Sequence, residues 1–140
     1  MNREVRFTIN ERPIPQKRHR HFNDKTYNPQ RKEKLYYGLL IKQLIKNYET
    51  LKEHTLCGPL HVSLSFFMAL PKSKKHRESK GLFHANKPDL DNLIKFILDA
   101  MSGIVFHDDS YIYKIDAIKC YSEKPRTQVV IKEVIQEKLD

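Results

Sequence analysis

The segment KPDLDNLIK, residues 87–95, spaces two carboxylates and a lysine in a way that suits phosphate chemistry. In extended backbone, residues i and i+2 share a side, so Asp89 and Asp91 converge there, whereas on a regular helix they would point about 200° apart. Pro88 disfavours helix at the residue before it and extends the chain into this segment. Two converging carboxylates repel each other, and a hard divalent cation such as Mg²⁺ relieves that repulsion. The pair therefore predicts a metal site at the start of a helix.

Lys95 and a second acidic pair extend this site. Lys95 lies one helical turn beyond Asp91, where it would contact a scissile phosphate or orient the attacking water. Asp108 and Asp109 follow the next apolar segment and offer a third carboxylate if the chain returns beside the helix start. The ordinary interpretation stays open: an acid before an apolar helical run is often a cap, Asp91 and Lys95 form a surface pair, and the later acids belong to a turn.

The net charge of +9 is concentrated in two stretches. Residues 12–20 contain four basic residues and no acid, and residues 71–87 contain six basic residues and one acid, so the rest of the chain is neutral overall. Concentrated positive charge suits a polyanion and raises its local concentration, although solvated loops without a ligand are the alternative. The candidate nucleic-acid contacts in and beside these stretches are Lys17, Arg18, Arg20, Lys72, Lys74, Lys75, Arg77 and Lys87.

Hydrophobic periodicity predicts the elements that position these residues. Alternation predicts half-buried strands, and apolar residues at helical spacing predict two helices, the second opened by Pro88 and ended at Gly103. The order β-α-β-α-β-β-β predicts an α+β fold with two helices packed on one mixed sheet. A length of 140 residues suits one domain over residues 1–140. The predicted strands cover 5–9, 60–68, 104–106, 111–121 and 127–134, and the predicted helices cover 29–51 and 88–101.

Several classes of protein are disfavoured by the sequence. No apolar run approaches the roughly 20 residues that a membrane span needs, and residues 1–10 carry charges in place of the apolar core of a secretory signal. Cys57 and Cys120 lack metal-ligand spacing and are expected to be reduced thiols. The sequence thus predicts a cytoplasmic protein without a membrane segment.

These motifs resemble those of the RusA-type Holliday junction resolvases, a family often carried by prophages. The resemblance rests on KPDLDNLIK at 87–95, on Asp99-Ala100, and on Asp108-Asp109-Ser110. It extends to Pro13 and Pro15 before a basic loop and to the helix entry at 27–29, and so covers most of the chain in element order. The long basic loop 71–86 matches the family least well, which bears on substrate preference more than on chemistry.

The resemblance implies a homodimer that binds a four-way junction and nicks two strands symmetrically with Mg²⁺, for which Mn²⁺ would substitute. Carried over by position, Asp89, Asp91 and Asp109 resemble the catalytic metal-binding carboxylates, with Asp108 as the adjacent candidate. Lys95 resembles the essential lysine of the family.

Three functions remain in competition at this point. The first is a structure-selective endodeoxyribonuclease of recombination and repair, and the second is a non-catalytic nucleic-acid-binding module in which the acids are caps and turns. The third, a phosphoesterase acting on nucleotides, is disfavoured because a small substrate needs a pocket and not two long basic loops. For the dimer, Tyr36, Leu39 and Leu40 widen the apolar arc of the first helix and are a candidate interface, unless they complete the monomer core.

Overall fold

The computed structural model describes residues 3–17, 29–48, 51, 55–72 and 78–134, and the backbone of 20–22 and 25–27. Two helices pack on one face of a four-stranded sheet, and a separate two-stranded hairpin follows the first strand. The elements are β1 (Arg3–Ile9), β2 (Arg20–Phe22), β3 (Lys25–Tyr27), α1 (Arg31–Ile45), β4 (Leu60–Ala69), α2 (Leu90–Met101), β5 (Ile112–Ser122) and β6 (Arg126–Glu133).

The sheet has the order β1-β6-β4-β5. β6 pairs antiparallel with β1 and with β4, whereas β5 pairs parallel with β4. A parallel pair of strands needs a crossover connection. The chain between β4 and β5, which includes α2, is that connection. The α+β class, with two helices on a mixed sheet, is confirmed.

Strict alternation in β4 separates the two faces of the sheet. Leu60, Val62, Leu64, Phe66 and Met68 are buried, and the residues between them are only partly covered. The buried face receives both helices, which meet where the rings of Tyr37 and Phe96 pack edge to face with centroids 5.2 Å apart. The helices therefore lie on one face of the sheet, and the other face is solvated.

The predicted strand over 104–106 is the one element that takes another form. Val105 and Phe106 are fully buried, but the segment is a turn with isolated bridges from Phe106 to Leu56 and Ser102. The backbone amides of residues 104 and 105 both donate to the carbonyl of Met101. Gly103, inside this turn, has a positive φ of 81°. Val105 and Phe106 are therefore buried by a turn and not by a sheet ladder.

Glu133 ties the end of β6 to the chain around it. Its carboxylate accepts hydrogen bonds from the Arg3 guanidinium at 2.6 and 2.9 Å and from the backbone amides of Cys57 and Gly58 at 3.1 and 3.2 Å. The hydrogen bonds from Arg3 and the two amides lower the pKa of Glu133 from 4.5 to about 2.

We expect Glu133→Gln to lower the free energy of unfolding by about 1–3 kcal/mol near neutral pH, because charge-assisted hydrogen bonds are lost. Since the folded pKa lies below the unfolded one, this stabilisation is complete above about pH 4.5 and is lost as the pH falls towards about 2. Thermal melts across this range should show the gap between wild type and variant closing on acidification. Glu123→Gln, at an exposed acid that pairs only loosely with Lys80, is the control. A gap that is independent of pH would contradict the assignment.

Candidate active site

Asp89 and Asp91 lie at the N-terminus of α2. Asp89 is the N-cap residue in extended backbone (φ −67°, ψ 141°), and Asp91 is the second residue of the helix. Both side chains are exposed. The extended geometry expected at Asp89 is present, and the helix begins one residue later.

Within the described chain, Asp89 and Asp91 do not form the capping hydrogen bond or the surface ion pair that acids at a helix start often form. The Asp89 carboxylate makes no capping hydrogen bond, and among the described residues neither Asp91 nor Lys95 has a hydrogen-bonding or ion-pair partner. Lys95 is exposed on the following turn of the helix. All three side chains are therefore available to a ligand.

The loop before the hairpin is docked against the start of α2. Gln30 is fully buried, its Oε1 accepts from the amide of Lys17 at 2.6 Å, and its Nε2 donates to the carbonyl of Pro15 at 2.8 Å. The amide of Gln16 donates to the carbonyl of Asn92 at 2.8 Å. The backbone of residues 15–17 is thus held at the start of α2, where a depression is lined by Pro15, Gln16, Lys87, Pro88, Asp89 and Asn92.

Lys119 on β5 holds the other side of this helix start. Its Nζ donates to the carbonyls of Asn86 and Pro88 at 2.7 and 2.8 Å. Neither Lys119 nor Gln30 was predicted from the sequence. A signal for Lys119 exists, because it occupies a core-facing position in the alternation of β5, where a lysine requires a polar partner. Gln30 offers no comparable signal.

Asp108 and Asp109 lie at the other end of α2. They precede β5 in a short 3₁₀ turn, and Asp108 accepts a hydrogen bond from the Ser110 hydroxyl at 2.8 Å, which lowers the pKa of Asp108. Partial burial, followed by the charges of Asp108 and Asp99, raises the pKa of Asp109. Asp109 also lines a depression with Leu98 and residues 112–115, so it lies beside the C-terminal half of the helix.

Within a single chain, the predicted metal-binding carboxylates therefore lie at opposite ends of α2. Leu98, which lines a depression with Asp109, lies seven residues after Asp91, which is about 10 Å along a helix. Within the part of the chain that the structure describes, no group of three or more His, Cys, Asp or Glu side chains is placed to hold a metal ion. The roles of Asp89, Asp91, Lys95, Asp108 and Asp109 remain predictions.

The predicted DNA-binding residues fall into three groups. Lys17, Lys72 and Lys87 are exposed, and Lys87 lines the depression beside Asp89. For Arg20 the structure describes only the backbone, at the start of β2. Arg18, Lys74, Lys75 and Arg77 lie outside the described residues. In that described part, no helix has the length and hydropathy needed to cross a membrane.

The start of α2 combines exposed carboxylates with exposed lysines on an α+β fold. This combination is suited to a nuclease, whose substrate is a polyanion. The sequence model of the endodeoxyribonuclease RusA family matches residues 10–132. The chain therefore belongs to the RusA endodeoxyribonuclease family, and it is an endodeoxyribonuclease. This confirms the predicted enzyme class against the non-catalytic binding module.

Two relatives extend the comparison. The uncharacterized protein YqaN of Bacillus subtilis (strain 168) is 30% identical over 139 residues, which cover 93% of this chain and 96% of YqaN. The crossover junction endodeoxyribonuclease rusA of Lactococcus phage r1t is 38% identical over 77 residues, which cover 54% of this chain and 56% of the phage protein.

We expect Lys119→Met to slow DNA cleavage by up to about 10²-fold, because the carbonyls that it holds fix the position of Asp89. Since Lys119 is half-buried and its Nζ donates to this loop, the affinity for DNA should change less than about threefold. Single-turnover cleavage and gel-shift measurements on the same substrate separate the two effects. Lys132→Met, on the solvated face of β6, is the matched control and should leave both unchanged. Equal losses of affinity and cleavage rate would show that Lys119 does not act by positioning.

Proposed function

We propose that the protein is a homodimeric, divalent-metal-dependent endonuclease that resolves four-way junctions and related branched DNA by paired nicks in recombination and repair. The observation that carries this proposal is the pair of carboxylates at the start of α2, which have no hydrogen-bonding or ion-pair partner among the described residues, with Lys95 one turn on and Lys87 beside Asp89. Family membership and the name of the Lactococcus phage r1t relative support DNA junctions as the substrate.

The donor set suits Mg²⁺, with Mn²⁺ as a substitute. Asp89 and Asp91 present carboxylate oxygens, which hard divalent cations prefer, and lysine charges nearby would receive the DNA phosphates. A bound cation supplies positive charge that stabilises the charge developing on the scissile phosphate. Lys95 would contact that phosphate or orient the attacking water. Asp109, or its neighbour Asp108, is proposed as the third carboxylate.

The third carboxylate has to come from the opposite end of α2, and the free edge of the sheet offers a route. β5 is the last strand of the sheet, and the segment 81–84 covers only its C-terminal end, through main-chain hydrogen bonds to Lys119 and Tyr121. No other described segment pairs with the edge from Ile112 to Ile118. Tyr113, Ile115 and Ile118 are all at least 39% exposed along it. An uncovered edge with apolar side chains is suited to pairing with another strand.

The charges on this edge match a second copy of the same strand. In an antiparallel pair centred on Ile115, Lys114 of each protomer lies opposite Asp116 of the other, and Ile112 lies opposite Ile118. Opposite charges that face each other across strands stabilise the pair. A shift of two residues in either direction would set lysine against lysine or aspartate against aspartate. The exposed apolar residues of α1, in contrast, are flanked by Lys32 and Lys42, which favours the β5 edge as the interface.

This pairing would join the two halves of the site. Antiparallel strands place the start of one β5 level with the end of the other, so Asp109 of one protomer approaches the partner's Lys119. Lys119 holds the Asn86–Pro88 backbone just before Asp89. Each active site would then take Asp89, Asp91 and Lys95 from one chain and Asp109 from the other. Two such sites related by a two-fold axis match the symmetry of a four-way junction.

Cleavage of a labelled synthetic four-way junction, compared with linear duplex of the same sequence, tests the function. We expect paired nicks near the branch with Mg²⁺ or Mn²⁺, no cleavage in chelator, and little cleavage of the linear duplex. Cleavage that is equal on both substrates would contradict selectivity for branched DNA. Cleavage in chelator would contradict the requirement for a metal.

A further inference from the structure

The loop before the acidic pair carries two adjacent apolar side chains in solvent. Phe83 is 77% exposed and Leu82 is 60% exposed. Among the large apolar residues that the structure describes, Phe83 is the most exposed. Single exposed apolar residues are common on protein surfaces. These two are adjacent, and they lie in the basic stretch that the family resemblance matches least well.

Phe83 is presented by a fixed backbone. Segment 81–84 runs along the end of β5, where the amides of Gly81 and His84 donate to the carbonyls of Tyr121 and Lys119 at 3.0 and 2.9 Å. The amide of Tyr121 donates to the carbonyl of Leu82 at 2.9 Å, and Phe83 forms a bridge with Cys120. Because three main-chain hydrogen bonds and an isolated β-bridge hold the segment, Phe83 is exposed from a fixed backbone.

The two sides of this segment do different things. The His84 ring packs on the Tyr121 ring with centroids 4.7 Å apart, and the side-chain Nδ2 of Asn86 donates to the Tyr121 hydroxyl at 2.9 Å. Side chains alternate along extended backbone, so Phe83 points to the side away from His84. His84 therefore anchors the segment, and the Phe83 ring is left outside the packing.

The surroundings of Phe83 suit a nucleic acid. Lys80 and Lys87 flank it in sequence and are exposed, and Lys124 is exposed at the turn that follows β5. Asp89 is six residues further on, so its Cα lies within about 20 Å of that of Phe83. That distance is about six base steps at 3.4 Å each. A base next to Phe83 and a phosphate at the acidic pair thus belong to one short stretch of DNA.

We propose that Phe83 stacks on a base at the branch point of the DNA, where a base has lost a neighbour, and that this contact contributes selectivity for branched over linear substrates. The proposal rests on the branched-DNA function proposed above. An aromatic face accepts any base, so the contact would read structure and not sequence. In an intact duplex every base is already stacked between neighbours, and insertion of the ring would have to break that stacking.

A four-way junction with 2-aminopurine at the branch point, bound in chelator so that it is not cut, tests the proposal. Binding of wild type should change the probe fluorescence, Phe83→Ala should abolish that change, and Phe83→Trp should retain it. We expect Phe83→Ala to weaken junction binding on the order of tenfold, with affinity for linear duplex unchanged. Leu35→Ala, at a residue that is 60% exposed on α1, is the matched control.

The outcomes separate this proposal from the one on which it rests. If wild type binds and cuts junctions selectively while Phe83→Ala keeps that selectivity and the probe signal, the stacking proposal is wrong and the function stands. If wild type itself shows no preference for junctions, the proposed function fails first. A change in the mass of the protein in sedimentation caused by Phe83→Ala would assign Phe83 to a protein interface and overturn the stacking proposal.

Discussion

Asp91→Asn and Asp109→Asn, each expected to be inactive alone, should restore cleavage when the two variants form one dimer. Each change removes a carboxylate from the proposed metal site, and we expect each alone to lower the cleavage rate on the order of 10²-fold or more. In a mixed dimer, one composite site contains both changes and the other contains neither. Activity should therefore return at one of the two sites.

The cleavage product, like the cleavage rate, shows whether the two protomers share each active site. A mixed dimer with one intact site should nick one strand, so a plasmid with an extruded cruciform should give nicked circles and few linear molecules. Random assembly of equal amounts would leave about a quarter of all sites intact, by the two-fold arithmetic of such dimers. Co-expression with two different affinity tags yields the mixed dimer in pure form.

Asp89→Asn mixed with Asp91→Asn is the matched control, because both residues enter the site from the same chain. Every site in that mixture keeps one damaged carboxylate and should stay inactive. If mixing Asp91→Asn with Asp109→Asn also gives no activity while the dimer forms, the carboxylates act within one chain. The proposed sharing of the site between protomers would then be abandoned.

The sequence predicted the start of α2 well because the determinants there are local. Pro88, two acids and an apolar face at helical spacing specify where the helix begins and leave Asp89 and Asp91 on its exposed end. The strands with one buried face were predicted for the same reason. In β4, alternation persists over ten residues, and a slip of one residue would expose the whole core-facing set.

The position of the third carboxylate could not be read from the sequence, because it depends on the path of the chain after α2. A strand over 104–106 would have carried Asp109 away from the end of the helix. The amide of Ser102 bonds to the carbonyl of Leu98, and the amide of Gly103 bonds to that of Phe106, so the chain folds into turns instead. Asp109 consequently lines a depression with Leu98, in the C-terminal half of α2. Apolar periodicity cannot distinguish a buried turn of three residues from a short strand.

Long-range hydrogen bonds to the backbone were harder to predict. Gln30 and Lys119 act through carbonyls and amides of other segments, Gln30 on residues 15–17 and Lys119 on residues 86–88. The alternation of β5 indicates that Lys119 needs a polar partner, but residue type and spacing do not identify the segment that supplies it.

Opposite charge reversals on β5 should turn the homodimer into an obligate heterodimer. In the proposed register, Lys114→Glu sets acids against Asp116 of the partner at two places, and Asp116→Lys sets lysines against Lys114 at two places. Like charges directly opposite on antiparallel strands are destabilising, so each variant alone should be monomeric at micromolar concentration. When the two variants are mixed, every facing pair becomes one acid and one lysine, and a dimer should form.

Sedimentation equilibrium checks this directly, since the chain mass is 16.7 kDa and a dimer has twice that mass. Asp116 also accepts a hydrogen bond from His61 at 2.6 Å within its own chain, so melting curves must show that Asp116→Lys is folded. Leu39→Lys, at the exposed apolar part of α1, is the control, and it would abolish the dimer only if that helix formed the interface. Dimers from either β5 variant alone would remove the β5 edge from the interface. Recovery of both the dimer and junction cleavage on mixing would tie assembly to catalysis, because each proposed site is complete only when two β5 strands lie side by side.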